Sequence, residues 1–178
     1  MSTGQTVRVN RAPVLALWAA VVAERLGFSR DEALTMGRAV AGLNAYAKGK
    51  ALGLYAPRPK TVKEHRRKLQ PGAVQHIDLL HRAVPAIRTP KGLRALSKDR
   101  PVTPESVERY LASKFGDSLA SVRAAMEELA GALSPDSLAA RGYELYEQFR
   151  PAVPAGVRGW GAAGELDLAL IKSLGRER

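Results

Sequence analysis

RAPVLALWAAVVAERLG, residues 11–27, admits two readings. Arg8 and Arg11 precede an apolar run from Ala12 to Ala23 that closes on Ala20-Val21-Val22-Ala23. That order, charge then apolar core then small residues, matches a secretory signal peptide. The competing reading is a buried helix. Leu15, Trp18, Val22 and Leu26 fall at three- and four-residue spacing and carry the pattern past the supposed cleavage site, through Glu24 and Arg25, to a stop at Gly27. Pro13 suits a first helical turn, where its missing N–H costs nothing. The helix reading takes in more of the residues and is preferred. The run is shorter than the ~20 apolar residues a bilayer span requires, and the rest of the chain offers nothing longer. The working expectation is a cytoplasmic protein that does not associate with a membrane, since no amphipathic helix sets Trp or Phe opposite Lys and Arg.

Outward from Gly27, Ser29-Arg30-Asp31-Glu32 has the spacing of a capping box, in which the Ser29 hydroxyl and the Glu32 carboxylate each accept the other residue's backbone N–H. Ala33, Met36, Val40, Leu43 and Ala47 then repeat at helical spacing, with Ala39, Ala41, Gly42 and Ala45 small enough for close approach. A helical hairpin from Ala12 to Lys48 follows. Ala23 to Gly27 with Phe28, and with Val22, Leu26 and Ala33 as apolar positions, also resembles a helix-turn-helix. The second helix, carrying Arg30, Arg38 and Lys48, is long and apolar for a recognition helix, so the plain hairpin is the better reading.

Gly53, Pro57 and Pro59 interrupt the next stretch. Thr61-Val62-Lys63-Glu64 opens a short helix containing His65-Arg66-Arg67-Lys68-Leu69, closed by Pro71-Gly72, with Val62 and Leu69 its only strong apolar anchors. Ala73 to Val84 fits a helix using Val74, Ile77 and Leu80. Val84 to Arg88 and Leu93 to Leu96 fit two extended segments joined by a Thr89-Pro90-Lys91-Gly92 turn. That small hairpin is expected to set Arg88, Lys91, Arg94, Lys98 and Arg100 on one exposed projection.

The second half is more regular. Thr103-Pro104-Glu105 starts a helix with Val107, Tyr110, Leu111 and Phe115 on its apolar face, ended by Gly116. Leu119, Val122, Met126, Leu129 and Leu133 mark a second, and Ser134-Pro135-Asp136 starts a third with Leu138, Gly142, Leu145 and Phe149. Short links between three helices imply an antiparallel bundle. Pro151, Pro154 and the glycines from 156 to 164 make an irregular segment around Trp160, read as a buried plug. A last helix is expected from Glu165 with Leu166, Leu170 and Leu174. The fold class expected is therefore mainly α, a multi-helix bundle with a small central β-hairpin. Residues 1–102 hold the basic hairpin parts and 103–178 the C-terminal bundle, the two packed as one unit.

At 178 residues and 19.2 kDa the chain is long enough to hide most of its apolar surface without a staple. It contains no cysteine, which excludes disulfides, thiolate nucleophiles, cysteine-held zinc and iron–sulfur clusters. The net charge of +11 is unevenly placed. Residues 1–100 carry 19 Lys and Arg against 6 Asp and Glu, while residues 101–178 carry 9 against 11. Within the first half, Lys48 to Arg100 holds 14 basic residues against Glu64, Asp78 and Asp99, a local +11. Asymmetry of this size points to an anionic partner, nucleic acid before membrane, against the alternative of a merely solubilising surface.

Catalytic parts are scarce. His65, His76 and His81 are the only histidines, and none sits in a recognised zinc spacing. GxSxG and GxxxxGKS/T do not occur, and no GxGxxG opens a helix after a strand, Gly159-Trp160-Gly161 being read as a loop and not a phosphate cradle, so serine hydrolases, P-loop enzymes and Rossmann dehydrogenases lack their mechanical parts. The carboxylates Glu165 and Asp167, or Glu127 and Glu128, are explained by helix dipoles and solvated faces. The expectation is a non-catalytic nucleic-acid-binding protein, DNA or RNA, without cofactor or metal. Its contacts to phosphate would be Lys60, Lys63, Arg66, Arg67, Lys68, Arg88, Lys91, Arg94, Lys98 and Arg100. Tyr46 and Tyr55 are candidates to stack on bases. The alternative is a protein-interaction or assembly module, a homo-oligomer included, in which Leu119 to Leu133 buries against a second chain.

Overall fold

The structure, a computed structural model, describes residues 6–51, 74–97, 100–152 and 163–176, the side chains of 46–51 excepted. Helix α1 (Arg11–Arg25) has every residue from Pro13 to Ala23 buried. A surface helix needs only an apolar stripe, whereas one that is apolar all round has to be enclosed. α1 is enclosed by α2 (Arg30–Ala51), α3 (Pro104–Phe115), α4 (Leu119–Gly131) and α5 (Pro135–Phe149). The Leu15, Trp18, Val22 stripe read from the sequence is therefore one part of a fully buried cylinder.

The α1–α2 pair is the most extensive packing in the molecule. Its close approach occurs at Gly37, where a Cβ would come 2.2 Å from the Ala16 carbonyl oxygen and 2.9 Å from the Ala20 nitrogen. Gly42, expected at such a contact, faces open space. The turn between the helices is fixed by Gly27, at φ +114°, and by the capping box: Ser29 N–H donates to Glu32 Oε1 at 3.1 Å and Glu32 N–H to Ser29 Oγ at 3.2 Å. Residues 33–37, 39–41 and 44 of α2 are buried against α1 and the sheet, which leaves Asp31, Arg38 and Gly42 toward solvent, and the pair packs as a helical hairpin.

The chain is helix-rich, but it also carries two small antiparallel sheets, so mixed α and β describes it better than a bundle alone. The larger sheet has the order β2 (Val74–Leu79), β3 (Arg82–Thr89), β4 (Gly92–Ser97), β5 (Arg100–Pro101). The β3–β4 hairpin is the one expected, with Thr89 opposite Gly92. The helix expected over 73–84 is instead strand β2 and its turn, because Ile77 and Leu79 pair across to Val84 and Arg82 and only alternate residues need burying. Val84, Ala86, Leu93 and Ala95 join the main core, and the sheet packs on α2. Ile87, Arg94 and Leu96 are buried too, on the opposite face.

The second sheet pairs β1 (Thr6–Asn10) with β6 (Ala163–Asp167), Val7 opposite Leu166. The helix expected from Glu165 thus begins later, as α6 (Leu168–Arg176). Asp167 Oδ1 accepts from the N–H groups of Ala169, at 3.0 Å, and Leu170, at 3.3 Å. Ala152 bridges the outer side of β6 through paired bonds with Glu165.

Side chains of α1 tie it to the second half. Trp18 Nε1 donates to the Gly142 carbonyl at 2.9 Å and its ring meets Phe149 edge-on at 5.3 Å. Arg25 donates to the Leu133 carbonyl at 2.9 Å, just past the end of α4, and to the Ala130 carbonyl in its last turn at 3.4 Å. Thr103 and Ser134 cap α3 and α5 as their sequences predict. Trp160 and the short helix expected to contain His65 to Leu69 lie outside the described residues.

Candidate nucleic-acid interface

The expected site residues fall into three groups. Arg88 is exposed near the end of β3, and Lys91 is exposed in the two-residue turn that follows. That turn is braced by Thr89, whose hydroxyl donates to the Gly92 carbonyl at 2.7 Å and accepts the Lys91 N–H at 3.2 Å. Gly92 adopts φ +121°, a conformation that side-chain-bearing residues resist, which is why glycine stands there. These two cations form one basic tip.

Arg100 is also exposed, but it sits on β5 opposite Ser97, at the other end of β4. Six residues at about 3.3 Å each separate it from the tip by roughly 20 Å. Arg94 departs from expectation outright. Only 7% exposed, it lies mid-strand opposite Ile87 and donates Nη1 to the Leu93 carbonyl at 3.0 Å. Alternation along β4 puts it on a covered face, so it is not available to phosphate. Lys60, Lys63, Arg66, Arg67, Lys68 and Lys98 lie outside the described residues, as do Tyr55 and the Tyr46 side chain.

Beneath the tip, Glu32 joins helix and sheet. Its Oε2 accepts the Leu93 N–H at 2.9 Å while Oε1 holds the Ser29 cap. Thr35, fully buried, accepts the Ala95 N–H at 3.1 Å. Two strand N–H groups that would otherwise stand open are thus closed by α2 side chains. The N–H of Leu93, then that of Ser29, lowers the Glu32 pKa below its ordinary value, with nearby Arg88 adding a smaller effect in the same direction.

A second polar group was not picked out as a site from the sequence. Asn44 is fully buried on α2. Its Oδ1 accepts from Arg82 Nη2 at 2.7 Å and from the Tyr143 hydroxyl at 3.1 Å. Exposed His81 meets the Tyr143 ring at 6.4 Å between centroids. The available signal was position: Asn44 falls four residues after Val40, on the apolar side of its helix.

A cleft of about 530 Å³ opens between α1, α2, α3 and α4 over Leu17, Leu34, Leu111 and Leu119, with the Arg30–Glu108 pair at 3.9 Å on its rim. Among the described residues there is no cluster of three His, Asp or Glu able to hold a metal, and no helix long and apolar enough to cross a membrane. Compared with protein-family models, curated proteins and solved structures, the chain matches none.

Proposed function

We propose that this chain is a cytoplasmic, non-catalytic nucleic-acid-binding protein that contacts the phosphate backbone through a basic surface within residues 48–100. The observation carrying this reading is the local +11 between Lys48 and Arg100, against a second half that is slightly acidic. Phosphates reward cations spread along a surface, since each one neutralised releases counterions. Arg88 and Lys91 supply such a point on a braced turn, and neither has an ion-pair partner among the described residues. Such contacts position a duplex or strand without reading its bases.

The assembly-module reading draws less support. Val122, Ala125, Met126 and Leu129 of α4 are buried within the chain, and Leu170 is the one large exposed hydrophobic among the described residues. A helical interface between copies needs an apolar stripe to hide.

The test is fluorescence anisotropy of labelled duplex DNA and single-stranded RNA, with a variant carrying Ala at Lys63, Arg66, Arg67 and Lys68. Micromolar or tighter binding that weakens at least about tenfold in the variant is expected. Lack of binding at low salt, where even non-specific cationic association shows, would overturn the reading.

A further inference from the structure

Buried polar atoms almost always find partners, so the exceptions mark places where something else belongs. Among the described residues two side-chain atoms are buried without one: Asn44 Nδ2 and Arg82 Nε. Both are donors, and both flank a single hydrogen bond, since Arg82 Nη2 and Asn44 Oδ1 are the atoms already paired. The Asn44 oxygen is fully used, accepting from Arg82 and from Tyr143, which fixes the amide orientation and leaves Nδ2 as the unfilled end. No Asp or Glu among the described residues pairs with Arg82.

The backbone holds this arrangement by force. Leu80 and His81 form the β2–β3 turn with φ of 50° and 63°, a conformation usually given to Asn and Gly. Leu80 tolerates it because its side chain is buried over α5, with Cδ2 2.4 Å from where a Gly142 Cβ would stand. That lock sets the position of Arg82, the next residue, against Asn44. Exposed His81 borders the cluster on the solvent side and packs edge-on against Tyr143.

We infer that Asn44 and Arg82, steadied by Tyr143 and bordered by His81, form a seat for a phosphate group. An oxyanion supplies the acceptors that both orphan donors lack and the countercharge that Arg82 lacks, and a guanidinium bonds phosphate oxygens more strongly than neutral donors do. The seat lies at the opposite end of β3 from Arg88 and Lys91; His81 and Arg82 fall within the 48–100 stretch, but none of the four residues is among the phosphate contacts named for nucleic acid. It rests on the orphan donors and not on the summed charge. Inorganic phosphate and a backbone phosphate share this chemistry, and the test separates them.

The side-chain N–H resonances of Arg82 and Asn44 report the seat directly by NMR. Inorganic phosphate, titrated into the full chain against chloride of matched ionic strength, is expected to shift both saturably at millimolar concentration. Arg82→Lys, which keeps the charge and removes Nε, is expected to weaken binding at least about tenfold. No shift with either inorganic phosphate or duplex, or an unchanged affinity in Arg82→Lys, overturns the seat and leaves a buried water as the partner of these donors. A short DNA duplex is the second arm. Shifts at Arg82 and Asn44 identify a backbone phosphate as an occupant. Duplex binding that leaves them unmoved, while phosphate also fails, sinks the seat and spares the nucleic-acid reading.

Discussion

Glu32 joins two elements through one carboxylate, closing the α2 cap through Ser29 and the β4 edge through Leu93. Both bonds favour the ionised form, so the folded-state pKa lies below the ordinary 4.5. The sign follows: this stabilisation is present above the unfolded value and fades as pH falls through the lower folded one. Glu32→Gln is expected to cost about 1–3 kcal/mol at neutral pH, since one strand or cap N–H loses its acceptor. Urea unfolding near pH 7 and again near pH 3 checks this, with the gap between the two proteins shrinking in acid. His81 offers the opposite case. At φ 63° its side chain strains the backbone, so His81→Gly is expected to leave stability unchanged or raise it by up to about 1 kcal/mol.

At the scale of elements, Gly37 sets the distance between α1 and α2. The atoms a Cβ would strike are backbone, which cannot swing aside, so Gly37→Ala is expected to destabilise by at least about 2 kcal/mol. Gly42→Ala, in open space on the same helix, is expected to be neutral or stabilising; thermal unfolding of the pair compares them. The sequence made the helical hairpin, the caps at Ser29, Thr103 and Ser134, and the β3–β4 turn legible, because each rests on interactions among residues a few positions apart. It hid β2, where Val74, Ile77 and Leu80 fall at helical spacing although the strand that forms turns Ile77 and Leu79 to one face, and β6, where Leu166 suits both. Pairing decides those segments: β6 exists because β1, more than 150 residues earlier, lies beside it. The alternation of Val7 and Val9 in β1 was a readable signal. Which glycine makes a close contact was not readable, since composition gives no distance.

At the scale of the molecule, burial of α1 from every side gathers helices of both halves round one core, while the cationic excess remains in the first half. The basic region was legible as charge; its geometry was legible only in part. Arg94 looked equivalent to Arg88 and Lys91 in sequence, yet strand alternation turns it into a covered face, and Arg100 is carried to the far end of β4. Arg94→Ala is accordingly expected to lower stability through lost packing of its aliphatic stem, with little effect on nucleic-acid affinity once folding is matched.

The measurement closest to the central claim is the slope of log affinity against log salt for a duplex, taken from about 50 to 200 mM. The expected result is a steep slope that falls by about one unit for each exposed cation removed, at Arg88 and at Lys91, and is unchanged by Arg94→Gln. A slope near zero, or one indifferent to Arg88 and Lys91 together with the Lys63 to Lys68 cluster, would contradict phosphate contact through this surface.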